Sequence, residues 1–314
     1  MQTQPPPPSL TNWVLMLSVA LIWGSSFMLV EVALTGFGPI SVAAYRVTLA
    51  AVLLLTLTFV TGHGLPPVRG PKAGFVWASA LGMGIFSNAL PFFLLSWGQQ
   101  YVASGFAGVT MAAVPLLILP LAHIFVPGER MTWLKNAGFI LGFAGVLLLI
   151  GLEAFQNMGV DREATGRMAC LASAMCYATG SIITRLCPAV SKIALAAGTM
   201  LLASLLILPL ALILEGPPDS VAFLPILAVT TLGIFATAGA KLIQVKVVRE
   251  AGPSFMALVN YQVPVWSLVI GWAVLNEALP AKFFLALMMI ICGMALGQWK
   301  SLRSLYRRTT TPVA

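Results

Sequence analysis

The chain has 314 residues, 59% of them hydrophobic and 8% charged, with a mean hydropathy of +0.96. Soluble domains carry about 25% charged residues, so a water-soluble globule of this size is excluded and the class is an integral membrane protein. The net charge of +8 makes no soluble basic patch for nucleic acid, because the basic residues lie between apolar runs.

Ten apolar runs are near the length of about 20 residues that a membrane-crossing helix needs. They are 13–34, 39–60, 73–95, 104–125, 133–151, 167–183, 193–214, 223–245, 254–275 and 282–299. The first is too long for a cleavable signal, has no basic segment before it and contains Glu31, so it reads as a retained span. The connectors are short and rich in glycine and proline. The longest, 153–166, is polar and reads as a linker. Pro5 to Pro8 mark residues 1–12 as a disordered arm, and 300–314 form a basic tail.

The charges support this count. With ten spans and a cytoplasmic N-terminus, the inward connectors carry Arg69, Lys72, Arg130, Lys135, Arg185, Lys192, Lys246 and Arg249. The tail adds Lys300, Arg303, Arg307 and Arg308, whereas the outward connectors carry only Arg162, Arg167 and Lys282. That bias is what the positive-inside rule expects.

The chain also repeats. Shifted by about 149 positions, Gly84, Ile85, Phe86 and Ala89 fall on Gly233, Ile234, Phe235 and Ala238. Phe106, Val114, Pro115 and Leu119 fall on Phe255, Val263, Pro264 and Leu268; after a slip of one, Glu129 falls on Glu277 and Gly145 on Gly293. The units are 13–152 and 167–299. Five spans is an odd number, so the second unit enters from the opposite side. The expected fold is an all-α membrane protein of ten helices in two inverted five-helix repeats, an architecture that secondary transporters use for alternating access.

Several residues carry a family resemblance: Trp23, Gly24, Ser25, Ser26 and Phe27 in the first span, Arg46 in the second, and Pro115 with Gly128 and Glu129 in the first copy. Pro264 and Glu277 continue it in the second copy. The chain resembles the EamA-like branch of the drug/metabolite transporter superfamily over about Trp13 to Trp299. Asn276 stands where a glycine is common. The resemblance implies two five-helix modules, cytoplasmic termini and export or exchange of small metabolites in a bacterial inner membrane. Amino acids are slightly favoured over drugs, nucleosides or sugars.

Ionisable groups inside spans are costly and few. Arg46 either faces the pathway and binds a substrate carboxylate or phosphate, or anchors structure by capping backbone carbonyls or pairing with Glu31. Glu31 is the one carboxylate within a span core; it, or His123, is a candidate for the titratable group of a proton-coupled carrier, but both read as structural. Lys241 is within reach of the interface and reads as snorkelling. Glu129 and Glu277 read as structural, capping the next helix or pairing with a nearby base. The ninth span holds Asn260, Tyr261, Gln262, Trp266 and Ser267, with Asn260, Pro264 and Ser267 on one face. That face either lines the pathway or glues helices together. Asn88, with Trp23, Ser26, Tyr177 and Thr179, completes the pathway candidates. Pro115 and Pro264 are hinge candidates.

Gly138 with Gly142, and Gly293 with Gly297, mark the fifth and tenth spans as close-packed scaffold or as a homodimer face. Cys170, Cys176, Cys187 and Cys292 have no metal spacing and read as small core residues. No metal or cofactor motif, paired carboxylates or nucleophile motif appears, which argues against an enzyme. A channel or scramblase is the rival in another class, but no filter-like sequence or charged ring supports it.

Overall fold

A computed structural model describes residues 8–151, 161–218, 220–278 and 280–310. Among these, ten helices form the body. They are α1 Leu10–Leu34, α2 Pro39–Val60, α3 Ala73–Gly98, α4 Ser104–Phe125, α5 Trp133–Ile150, α6 Arg162–Leu186, α7 Lys192–Leu214, α8 Phe223–Glu250, α9 Val259–Leu275 and α10 Ala281–Gly297. A single turn, Pro253–Met256, precedes α9, and α11, Trp299–Thr310, follows α10.

Seven of the described helices are long and apolar enough to cross a membrane, and α9 and α10 are shorter apolar helices. α6 carries Arg162, Glu163 and Arg167 in its first turns and Arg185 at its end, around an apolar middle. It begins at Arg162, where Asp161 caps it by accepting from the Glu163 N–H. The expected linker therefore gives residues 162–166 to the helix; its middle lies outside the described residues, as do residues 1–7 of the arm. Ser9 caps α1 at Leu10, and residues 299–310 are helical.

The packing follows a pseudo-two-fold pattern. Between the repeats, α1 packs on α8 and α9, and its counterpart α6 packs on α3 and α4. α2 packs on α8 as α7 packs on α3, while α2–α7, α4–α9 and α5–α10 are their own counterparts. The helices thus sort into two groups that mix the repeats: α1, α2, α8 and α9, and α6, α7, α3 and α4.

Local distortions repeat too. α3 is π-helical over Ile85–Ala89 and α8 over Leu232–Gly239. The Asn88 Nδ2 donates to Met83 O at 3.1 Å; Thr237 Oγ1, about 149 residues later, donates to Leu232 O at 2.9 Å. α4 passes through a 3-10 turn, Met111–Ala113, just before Pro115. α9 begins with Asn260 N donating to Ala257 O and Tyr261 N to Leu258 O, just before Pro264. Proline cannot donate to the carbonyl four residues back, so each helix tightens there.

α5 and α10 are glued by glycine. A Cβ on Gly138 would meet Gly293 O, and one on Gly293 would lie 2.6 Å from Gly142 N. Close backbone approach of this kind is what small residues permit in membranes. The small-residue faces are used inside the chain, so a dimer through these helices would need their outer faces, where Ile140, Phe143, Phe284, Leu285 and Met288 are exposed. Cys170 and Cys176 are buried, whereas Cys292 is exposed on α10 and is not a core residue.

Candidate functional site

Where the two helix groups meet, α2 places Arg46 against α8. Arg46 is 7% exposed; its Nε donates to Thr237 Oγ1 at 2.8 Å, and its guanidinium lies 3.8 Å from the centre of the Phe92 ring. The Phe92 ring meets Tyr177 edge-on at 6.4 Å. Trp23 Nε1 donates to Ala236 O at 3.1 Å, beside Thr237. Phe92 and Tyr177 therefore lie on one side of this cation, and Trp23 ties α1 to the α8 backbone next to Thr237. An aromatic face on an arginine is attractive when water is excluded. Thr237 accepts from Arg46 while donating to Leu232 O, so both its hydrogen-bonding roles are fixed.

The structure gives Arg46 and Glu31 different partners, which removes the alternative that pairs them. Glu31 instead lies beside the Glu277 carboxylate near the Ser104 N–H. Glu277 accepts from Ser104 N at 2.7 Å and Gly105 N at 2.9 Å, at the start of α4. It caps a helix of the other repeat rather than the next helix. A carboxylate suits the free N–H groups and positive end of a helix start. Glu215, between α7 and α8, does the same for α2, accepting from Ile40 N at 3.0 Å and Ser41 N at 2.8 Å. Both bonds join the two helix groups, and both lie at the end carrying the odd-numbered connectors.

The opposite end differs. Glu129, the repeat counterpart of Glu277, accepts from Lys135 Nζ at 3.0 Å and from Arg185 Nη1 at 2.9 Å. Those partners belong to α5 and α6, so the clasp does not reach the α1, α2, α8 and α9 group. The hydrogen bond from Lys135, with a second from Arg185, holds the Glu129 carboxyl below its ordinary 4.5. A cavity of about 270 Å³ lies at this end between the start of α7 and the end of α8. Ile193, Leu242, Val245, Lys246, Arg249 and Glu250 line it.

Other expected pathway residues are engaged elsewhere. The hydroxyls of Ser26, Thr179 and Ser267 donate to Trp23 O, Met175 O and Pro264 O of their own helices. Asn88 holds the α3 distortion. Ser267 is 1% exposed and packs on α4, where a Cβ on Gly108 would strike it. Trp266 packs on Gly24 of α1, and Gln262 Nε2 lies 3.0 Å from Met16 Sδ. Tyr261 has a buried hydroxyl without a partner among the described residues. Asn260 is half-buried, with no side-chain hydrogen bond among them. The face through Ser267 is therefore interhelical contact, and only its Asn260 end stays free.

Sequence reasoning missed Phe92, Thr237 and Glu215. Thr237 had a signal, since it is the repeat counterpart of Asn88. Glu215 had none beyond its charge in a connector. Among the described residues no group of His, Cys, Asp and Glu could hold a metal ion.

Comparison with known proteins gives these helices a family. The EamA-like transporter family matches residues 11–151 and 164–297. The chain is 27% identical over 291 residues to the uncharacterized inner membrane transporter YedA of Escherichia coli K12, covering 88% of this chain and 87% of that one. It is 23% identical over 281 residues to the uncharacterized transporter YoaV of Bacillus subtilis, covering 88% and 93%. A probable terminal-alkyne amino-acid exporter of Streptantibioticus cattleyicolor is 32% identical over 141 residues, covering 44% of this chain and 43% of that one. A solved crystal structure, 22% identical, superposes with a TM-score of 0.65 over 93% of this chain and 99% of that one, which shows a shared fold. The chain is a multi-pass integral membrane protein and belongs to the EamA-like transporter family.

Proposed function

We propose that this transporter is a secondary carrier that moves a small metabolite by alternating access, with its site at Arg46. The observation that carries this reading is Arg46 itself: a buried cation on α2 of one helix group whose guanidinium meets the Phe92 ring on α3 of the other. A site at such a crossing can face either end as the groups rock. Carboxylate caps at Glu215 and Glu277 join the groups at one end, while Glu129 at the other stays within one group. That combination fits a state closed at the odd-connector end. The distribution of Lys and Arg makes that end extracytoplasmic, so both termini are cytoplasmic and this state faces inward. Location in the inner membrane rests on the likeness to YedA.

In the opposite state the pseudo-symmetry exchanges the roles of Glu277 and Glu129. Glu277 releases the start of α4, and Glu129 leaves Arg185 to cap the turn before α9. Export of an amino acid or a related polar solute is favoured by the partial likeness to the amino-acid exporter.

The test is solute counterflow in proteoliposomes. A carrier gives saturable flux accelerated by solute on the far side. Linear flux without such acceleration would identify a pore and overturn the reading.

A further inference from the structure

Two cations sit at the middle of the molecule with no carboxylate to balance them. Arg46 spends one of its five N–H donors on Thr237. Its two terminal nitrogens have no acceptor among the described residues, and they are not among the sealed, unpartnered buried atoms there. Those atoms are Asn12 Oδ1, Glu31 Oε2, Gln99 Oε1, Ser104 Oγ and Tyr261 OH.

Lys241 lies on α8 four residues after Thr237, one turn or about 6 Å along the axis. It is partly buried and makes no hydrogen bond or ion pair among the described residues. α8 continues through Glu250, nine residues on, so Lys241 lies about 7 Å from the helix midpoint. Leu242, the residue after Lys241 in the chain, lines the 270 Å³ cavity at the even-connector end.

Every carboxylate of the described residues is placed elsewhere. Glu31 and Glu277 lie together at the start of α4, and Glu215 is at the start of α2. Glu129 has Lys135 and Arg185, Glu163 has Arg167, Asp161 caps α6, and Glu250 is at the far end of α8. A buried charge without a counter-charge is expensive, and in a membrane span it marks a ligand path.

We propose that the terminal nitrogens of Arg46 and the Lys241 ammonium form a binding site for an anionic solute carrying a carboxylate or phosphate group, and that this solute is the cargo. The inference rests on the transporter reading but replaces its amino-acid preference with an anion that carries no ammonium. Thr237 aims the guanidinium fork by holding Nε, leaving the Nη pair to donate to two oxygens in parallel. Lys241 supplies a second positive point one turn nearer the cavity. A zwitterionic amino acid would find a partner for its carboxylate but none of opposite charge for its ammonium. A dianion, or an acid without an amine, satisfies both cations.

The experiment is ligand-dependent melting of the full-length protein in detergent at fixed ionic strength. The probes are glutarate, its neutral diamide glutaramide, pentane-1,5-diamine and inorganic phosphate. The first three share a five-carbon chain and differ in charge. A ligand that binds only the folded state raises the midpoint. Glutarate or phosphate should raise it, and the amide and diamine should not. A stronger glutarate response assigns a carboxylate cargo; a stronger phosphate response assigns a phosphate ester. Lys241→Gln should weaken the anion roughly tenfold, the size of one charge-assisted hydrogen bond, and Lys241→Arg should restore it. Lys241 is the variant of choice because it has no protein partner to lose, so its removal leaves the fold intact.

Stabilisation by the amide or diamine equal to that by glutarate, no stabilisation by either anion, or unchanged anion binding in Lys241→Gln would overturn the site. Counterflow separates the two levels. Saturable exchange of a neutral or cationic probe without anion binding removes the anion site and leaves the carrier. Anion binding without exchange of any probe keeps the site and removes the carrier.

Discussion

The Ser104 N–H donates to Glu277 Oε1 at 2.7 Å, and the bond ties the start of a helix in one repeat to a connector of the other. With the Gly105 N–H on the second oxygen, one side chain satisfies two of the four free donors at that helix start. Glu277→Gln keeps the shape but removes the charge and one acceptor. We expect a loss of about 1 kcal/mol of cap stabilisation and a shift toward the state open at that end. Thiol labelling of Ala103→Cys in membranes should speed up in the Glu277→Gln background. Unchanged labelling would make the cap purely local.

Glu129 predicts an acid-sensitive clasp at the other end. Its carboxyl lies below the ordinary 4.5 in the folded protein because Lys135 and Arg185 hydrogen-bond it. A depressed carboxylate stabilises fully above its unfolded value. The contribution fades as pH falls below about 4.5 through the lower folded value. Glu129 is 32% exposed, so the effect is small, at most about 1 kcal/mol. Melting midpoints between about pH 6 and pH 3 should fall more steeply for the native chain than for Glu129→Gln. Parallel curves would contradict this.

Arg46→Lys retains charge but loses the fork and the Thr237 bond. Transport of anions should fall by roughly tenfold or more, with neutral solutes less affected and membrane content unchanged. Equal loss for all solutes together with reduced protein would make Arg46 an anchor of the fold. Thr237→Val tests the same geometry from α8 and should weaken anion binding less than Arg46→Lys.

Gly293→Ala places a methyl 2.6 Å from Gly142 N, against backbone that cannot move aside. We expect destabilisation of about 1–3 kcal/mol and lower yield. Gly74→Ala, near the start of α3 with nothing within 4 Å of its Cβ, should be neutral or slightly stabilising. Comparable losses in both would show that yield does not report α5–α10 packing.

Asn260→Leu should change solute affinity with expression intact, because Asn260 has no side-chain partner to lose among the described residues. Ser267→Ala should leave affinity alone, since its hydroxyl closes on Pro264 O inside a packed interface. Unchanged transport in Asn260→Leu would remove it from the pathway.

The fold was legible because bilayer thickness dictates span length and the repeat left matching residues about 149 apart. The centre of the site was partly legible: Arg46, Trp23 and Tyr177 stand out as charge or large aromatics in apolar runs. The pairings were not. Arg46 and Glu31 are close in sequence and lie on neighbouring helices, yet the pseudo-symmetry brings Arg46 to Thr237, 191 positions away. Hydroxyls such as Ser26 and Thr179 look like pathway polarity in sequence, but a helix absorbs them through its own carbonyls. Glu215 is an ordinary connector glutamate until α2 is placed beside it.

The most direct test of the account is a pair of spin-label distances in the protein with its native cysteines replaced. One pair, Ala103→Cys with Ala278→Cys, reports the end held by Glu277. The other, Arg130→Cys with Glu250→Cys, reports the end of Glu129. The account predicts two populations at each end that exchange reciprocally, with Glu277→Gln lengthening the first distance and shortening the second. Both distances lengthening together, or neither responding to Glu277→Gln, would contradict alternating access between these helix groups.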